Sequence, residues 1–227
     1  MLFLRLSTTD DEYIRIAEWM SRTIMTHKCV RLSEFSIKQM LEIKNPVLLE
    51  RFSRSKQRIE CKNGGGSCEL VELFHGSPFA IEIAVSGFNE QHCKENNMFG
   101  KGNKTTIGSQ RSSCKEIILV TNCVYFTKHA SKANQFSWGA NTGCPEHNDR
   151  NCDICLRYLL VCSCLMGKQF RATFQPLAAA PIGFDSIVAE PSSVKGIKYA
   201  EFVLLSGEQA LPKVLVAYHA VRYQEQE

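Results

Sequence analysis

The sequence predicts an α+β domain built on antiparallel sheets. Three observations carry that expectation. Helix-period patterns fall early in the chain and strand-like runs fall late, with no regular βα repeat. Strand-like runs follow one another at 156–165, around 170–174, at 199–205 and at 214–218. The chain has 227 residues with 44% hydrophobic content, enough for one good core, so a single domain spanning 1–227 is expected.

Taken in order, 9–28 reads as an amphipathic helix. Thr9 and Glu12 have capping-box spacing, and Tyr13, Ile16, Ala17, Met20 and Ile24 share one face as core residues. Glu34 to Lys44 mostly alternates through Phe35, Ile37, Leu41 and Ile43, which predicts a strand. Asn45-Pro46 starts a second helix, with Val47, Leu48, Leu49, Phe52 and Ile59 available for burial and Arg51, Arg54, Lys56 and Arg58 on a solvated face. A strand-like run then ends in Leu73-Phe74-His75-Gly76-Ser77-Pro78-Phe79. Ser77 reads as an N-cap and Pro78 as the first residue of a short helix over 78–87 ended by Gly87. A histidine at such a strand-to-helix junction, beside a glycine that exposes bare backbone, is a candidate site; a buried histidine satisfied by backbone gives the same pattern. Residues 88–102 read as a loop, Val124-Tyr125-Phe126 as extended, and 131–138 as a helix of one or two turns. Strands are expected at 156–165, 170–174, 199–205 and 214–218, with Cys162 and Cys164 in the core.

Composition excludes several classes. The net charge of +4 and pI near 8.5 are mild, and the basic residues are interleaved with acids, so nucleic acid binding is not indicated. No apolar stretch approaches the ~20 residues of a membrane span, and the apolar start Met1 to Leu6 is too short for a signal peptide. Asn63-Gly64-Gly65-Gly66-Ser67 lacks the later Gly and Lys of a P-loop and precedes a strand. Gly100-Lys101-Gly102 fails the dinucleotide fingerprint, because Thr105 stands where the third Gly belongs.

Residues 143–155 hold the most specific motif, Cys-x2-His-x4-Cys-x2-Cys, made of Cys144, His147, Cys152 and Cys155. Two close pairs of soft ligands suit tetrahedral zinc, and four protein ligands leave no position for an activated water, so the expected ion is structural. Zinc would clip a loop with almost no apolar residues of its own. The odd total of eleven cysteines, some committed to metal, points to a reducing compartment, cytoplasm or nucleus.

Three segments then form a set: Leu73 to Phe79 around His75; Val124-Tyr125-Phe126 with Ser131-Lys132-Ala133-Asn134-Gln135-Phe136; and Ala200-Glu201-Phe202-Val203. Together they resemble the His, Tyr and Glu signature of poly(ADP-ribose) polymerase catalytic domains, most of all the tankyrase-like ones, which carry the same zinc motif and the run Gly207-Glu208-Gln209-Ala210. The resemblance covers nearly the whole chain, including Asp11-Glu12-Tyr13 and Leu49-Glu50-Arg51-Phe52. It implies an ADP-ribosyltransferase fold, with an antiparallel sheet core, flanking helices and a small zinc-binding loop. It implies an NAD-dependent protein poly-ADP-ribosyltransferase that releases nicotinamide and modifies protein acceptors. By motif position, Gly76 backbone holds the nicotinamide carboxamide, and His75 and Ser77 address the adenosine ribose. Tyr125 and Phe136 sandwich the nicotinamide ring, with Phe126 beside them. Glu201 holds the nicotinamide-ribose hydroxyl next to Lys132, and His92 belongs to the loop over the adenosine pocket. Glu201, His75 and Tyr125 are the catalytic set.

Residue chemistry agrees independently: breaking a glycosidic bond to a cationic leaving group passes through an oxocarbenium-like state, which favours a carboxylate and an aromatic wall. Two departures stand out. Ala133 replaces the family's serine donor, and Phe136 replaces its second stacking tyrosine. Residues 103–123 also intervene before the Val-Tyr-Phe strand as an atypical insertion or a product of incorrect sequence assembly. The alternative reading is therefore a weak or inactive NAD- or ADP-ribose-binding homologue acting as a protein-interaction module, and a third is a zinc-stabilised interaction module.

Overall fold

The computed structural model describes residues 1–27, 32–88, 123–139, 142–173 and 182–222. His92 and residues 103–122 of the predicted insertion lie outside them.

Among the described residues nine strands form two sheets, and four α-helices cover them. In chain order they are β1 (Leu2–Arg5), α1 (Asp11–Arg22), β2 (Glu34–Lys44), α2 (Pro46–Lys62), β3 (Leu70–Gly76), α3 (Ala80–Ser86), β4 (Val124–Phe126), α4 (Ala130–Asn134), β5 (Arg157–Leu165), β6 (Gln169–Ala172), β7 (Ser186–Ala189), β8 (Glu201–Leu204) and β9 (Ala210–Val221). The α+β class with antiparallel sheets is thus as expected. A five-stranded sheet has the order β1-β2-β9-β5-β3, antiparallel throughout, and a four-stranded sheet has the order β4-β8-β7-β6. The β6–β7 pair is the parallel exception.

The five-stranded sheet is buried on both faces. On β5, Leu160, Cys162 and Cys164 point into one cluster with α3 and the second sheet, while Leu159 and Val161 point into another with Ile16 and Met20 of α1 and Ala130 and Ala133 of α4. A strand apolar on both faces reads as a continuous hydrophobic run, as 159–165 does. The two clusters are therefore layers either side of one sheet, and burying them supplies most of the driving force.

Local chemistry accounts for most boundaries. Asn45 caps α2, its Oδ1 accepting from Leu48 N–H at 3.3 Å, and Pro46 occupies the first turn, where its missing N–H costs nothing. Leu48, Phe52 and Ile59 of α2 are buried, but Val47 and Leu49 are 54% and 53% exposed, because they fall off the 3.6-residue stripe that meets the sheet. The expected Thr9/Glu12 capping box does not form. Asp10 is the N-cap, its carboxylate accepts from Ser7 N–H at 2.7 Å, and Glu12 instead pairs with Arg15. Likewise α3 starts at Ala80: Ser77 and Pro78 lie in a turn closed by Ala80 N–H to Ser77 C=O (3.2 Å), and Ser77 Oγ accepts from Phe79 N–H (3.1 Å). Among the described residues no helix is long and apolar enough to cross a membrane.

Candidate functional site

The two sheets are stitched where β3 meets β4. Phe74 and Thr127 exchange backbone hydrogen bonds of 2.8 and 3.0 Å, which sets the next residue of β3, His75, beside Tyr125. His75 Nδ1–H donates to Tyr125 C=O at 2.8 Å. A carbonyl only accepts, so this bond fixes the proton on Nδ1. The His75 ring also meets Phe88 edge-on at 4.9 Å and Phe126 at 5.3 Å.

Strand alternation sorts the remaining side chains. In the β4–β8–β7 register Tyr125 pairs with Val203, Val203 with Ile187, and Ala189 with Glu201. Successive residues point to opposite faces, so Tyr125 and Glu201 share one face, packed with Ile187, Ala189 and Val203. Val124, Phe126, Phe202 and Leu204 take the other face and belong to the main core. The Phe126 ring is therefore core, 2% exposed, rather than part of an open ligand surface. His75 and Tyr125 meet through the tyrosine backbone, and the tyrosine ring packs on the second sheet.

Helix α4 lies across this junction. Lys132 Nζ is 3.2 Å from Glu201 Oε1, with both side chains largely buried, and sits 5.4 Å from the Phe136 ring centroid. Thr127 Oγ1 donates to Ala200 C=O at 3.3 Å, holding the start of β8. Gly76 abuts α4 so closely that a Cβ there would lie 1.9 Å from Ala133 O. Its bare backbone thus admits α4 on that side. Ser77 is buried, its hydroxyl engaged by Phe79 N–H.

The far end of α4 is tied to the residues after α1. Ser131 Oγ donates to Thr23 C=O (2.8 Å) and accepts from Met25 N–H (3.0 Å) and His27 Nε2–H (2.9 Å). With its proton given to a carbonyl, Ser131 is a clasp and not a nucleophile. His27 and His129 flank Tyr199 at 4.9 and 5.1 Å. Burial, reinforced by the charges of Lys132, His129 and Lys198, holds His27 down to about 4, and burial with Lys128 also lowers His129. Sequence reading passed over His27, His129 and Tyr199, since no spacing links them.

Cys144, His147, Cys152 and Cys155 do converge: their ligand atoms lie within 4.8 Å of one another. His147 Nδ1 is 3.5, 3.5 and 3.4 Å from the sulfurs of Cys144, Cys152 and Cys155. One ring nitrogen cannot hydrogen-bond three sulfurs at once. The spacing instead matches the edge of a tetrahedron with Zn–S ~2.3 Å and Zn–N ~2.0 Å, which is about 3.5 Å. Backbone N–H groups of His147 and Cys155 donate to Cys144 and Cys152 sulfurs at 3.2 and 3.3 Å, as thiolate ligands require. Without a cation the cluster is divided: against burial, hydrogen bonds from the Asp149 and His147 backbone hold Cys144 down to about 6, while burial and the neighbouring Cys152 and Cys144 push Cys155 up to about 12. The donor set therefore fits a structural metal. The turn is tight, with Asn148 at φ 50 and no room for a Cβ on Gly143, 2.1 Å from Asn148 C.

No known protein-family profile matches the chain.

Proposed function

We propose that this chain is an NAD-dependent protein ADP-ribosyltransferase with an ADP-ribosyltransferase fold and a structural zinc. The observation that carries the reading is the Lys132–Glu201 pair (3.2 Å) on the face shared by Tyr125, one strand from His75. Residues from β3, β4, α4 and β8 meet there, and they are the residues the family resemblance singles out.

In this reading Glu201 accepts a hydrogen bond from the nicotinamide-ribose hydroxyl and offsets positive charge as the C1′–N bond breaks. The bonding pair leaves with nicotinamide, the acceptor's nucleophile bonds to C1′, and its proton is released. Lys132 orients Glu201. The proton on Nδ1 is committed to Tyr125 C=O, so a bond from His75 to a ribose hydroxyl runs through Nε2. Phe136, 36% exposed, offers a π face to the nicotinamide ring. Protein acceptors, and residence in cytoplasm or nucleus, accompany this reading.

Glu201→Gln keeps size and removes charge. Transfer of label from NAD to protein should fall on the order of 10²–10³, the cost of one preorganised stabilising group, with NAD affinity held within a few-fold. Transfer at the parental rate would overturn the assignment. Ala133 favours the second reading, an NAD- or ADP-ribose-binding module without turnover, because alanine gives the carboxamide no donor. Calorimetric NAD binding without any label transfer by the parent chain selects it.

A further inference from the structure

We propose that Arg157 is the counter-ion of the metal–thiolate centre, and that through Arg157 the bound metal holds α4 in place beside Glu201. The inference rests on the metal reading of the cysteine cluster and not on the transferase reading.

Arg157 opens β5 and is 2% exposed, the largest fully buried side chain of the described residues. A buried guanidinium ordinarily sits against a carboxylate. Among the described residues no carboxylate lies within ion-pairing distance of it; the nearby Asp149 is taken by Arg222 at 2.5 Å. Its hydrogen bonds go to neutral groups: Nη2 to the carbonyls of Arg150 (2.9 Å) and Cys152 (3.0 Å), and Nη1 to Asn134 Oδ1 (3.1 Å). Its Nε has no partner. Burial depresses the guanidinium, opposed by Tyr218, the thiols of Cys152 and Cys144, and Asp149.

The cysteine cluster supplies the missing charge. Three thiolates outnumber the two positive charges of zinc, so a zinc centre with three Cys and one neutral His carries one net negative charge. Two of its ligands bracket the carbonyls that Arg157 already grips. The metal gathers the three sulfurs beside the carbonyls that Arg157 grips, and stripping it releases that charge from a fixed place.

The same guanidinium reaches α4. Asn134 Oδ1 accepts from Arg157 and from Tyr218 Oη–H (2.8 Å), and Ser137 Oγ meets Tyr218 Oη at 3.1 Å. The guanidinium carbon lies 3.8 Å over the ring of Trp138, which itself packs on the cysteines. Lys132, on the same short helix as Asn134, carries the contact to Glu201. Asn134 Nδ2 is buried and unpartnered. Asparagine here is one acceptor beside two donors, with an idle amide group where a second carboxylate oxygen would fit.

That last detail gives a clean test. Asn134→Asp is nearly isosteric, exchanges an orphan donor for an acceptor, and gives Arg157 a protein counter-ion. Thermal melts are compared for zinc-loaded and chelator-stripped protein. The parent should lose stability on stripping, and Asn134→Asp should lose at most about half as much. An equal loss in both would overturn the proposal. In parallel, Zn²⁺ affinity is measured against a chromophoric chelator. Arg157→Met should weaken zinc by about tenfold or more, and Arg157→Lys, which keeps the charge, should stay within about threefold. Equal affinities across the three proteins would overturn it. A parent that binds no zinc would remove both this inference and the metal reading, while activity toward NAD bears on neither arm.

Discussion

The metal loop and the seam around His75 solve one problem in opposite ways. Each must hold polar groups in a fixed array. The loop draws its four ligands from one short stretch, Cys144 to Cys155, and gathers them with a turn and backbone N–H to sulfur bonds. The seam draws His75, Lys132 and Glu201 from three distant segments, gathered by sheet register and by α4. Glycines show the contrast. A Cβ on Gly143 would strike Asn148 in its own turn, whereas a Cβ on Gly76 would strike Ala133 on another element. A local array depends on its ligand, and a distributed one depends on the packing of the whole domain.

The sharpest way to break that contrast is to remove the metal. Elemental analysis should find about one zinc per chain. Stripping it should cost several kcal/mol, a fraction of the ~10–16 kcal/mol that zinc supplies to small metal-folded peptides, and lower the melting temperature on the order of 10 °C. Limited proteolysis should then cut first within 142–155, with both sheets still protected. Uniform loss of protection across the chain would show that the loop is not a local unit.

Gly76→Ala addresses the seam. The added carbon would sit 1.9 Å from Ala133 O and 2.7 Å from Ala133 C, both backbone atoms that cannot rotate away. We expect about 3 kcal/mol of destabilisation in denaturant titration, the upper end for overpacking, with zinc content unchanged. A cost below about 0.5 kcal/mol would mean that α4 moves freely against β3, and the seam would not be a packed array.

Legibility in the sequence follows the same division. The metal cluster could be read because its chemistry is contained in its spacing. β2 and α2 could be read for a similar reason: alternation marks the strand, and Asn45-Pro46 marks the helix start within a few residues. What escaped is set by partners far away in sequence. β7 is four residues buried on both faces, with no alternation to announce it. β1 exposes Leu2 and Leu4 on an edge strand, so its composition suggests burial it does not have. Ser77 and Pro78 carry cap chemistry but spend it on a turn before the helix. Arg157 looks like an ordinary charged strand residue until Asn134, Trp138 and the cysteines close over it. No local pattern joins His75 to Glu201, so spacing in the sequence does not bring the seam together.

Acidification separates the α1–α4 clasp from the loop more gently. His27 sits at about 4 in the folded chain against about 6.5 when unfolded. Between those values the unfolded chain takes the proton first, so stability is fully present above about pH 6.5 and declines as pH falls toward 4. The residue is partly exposed, so screening limits the loss to about 1 kcal/mol between pH 7 and 5. Urea titrations of the parent and His27→Gln at both pH values should show the parent losing more. Equal losses would place the acid sensitivity elsewhere.

The smallest effect concerns one missing hydroxyl. Ala133 is 2% exposed; its carbonyl is the atom pressed against Gly76, and its methyl group packs in the core layer with Leu159 and Val161. Ala133→Ser adds one oxygen there. Two partners compete for its proton. One is the His129 carbonyl, which already accepts the Ala133 N–H at 3.1 Å and is a known target for helical serines. The other, under the proposed function, is the carboxamide of a bound nicotinamide ring. The first outcome leaves ligand affinity unchanged; the second tightens a nicotinamide-like inhibitor by about 1 kcal/mol, roughly fivefold in Kd. We expect the second, because the His129 carbonyl is already satisfied and gains little from a second donor. Calorimetry on the parent and Ala133→Ser distinguishes them, with melting temperatures confirming that neither fold is disturbed. Unchanged or weaker inhibitor binding by a stably folded serine variant would count against a nicotinamide ring beside Ala133, while leaving the metal loop untouched.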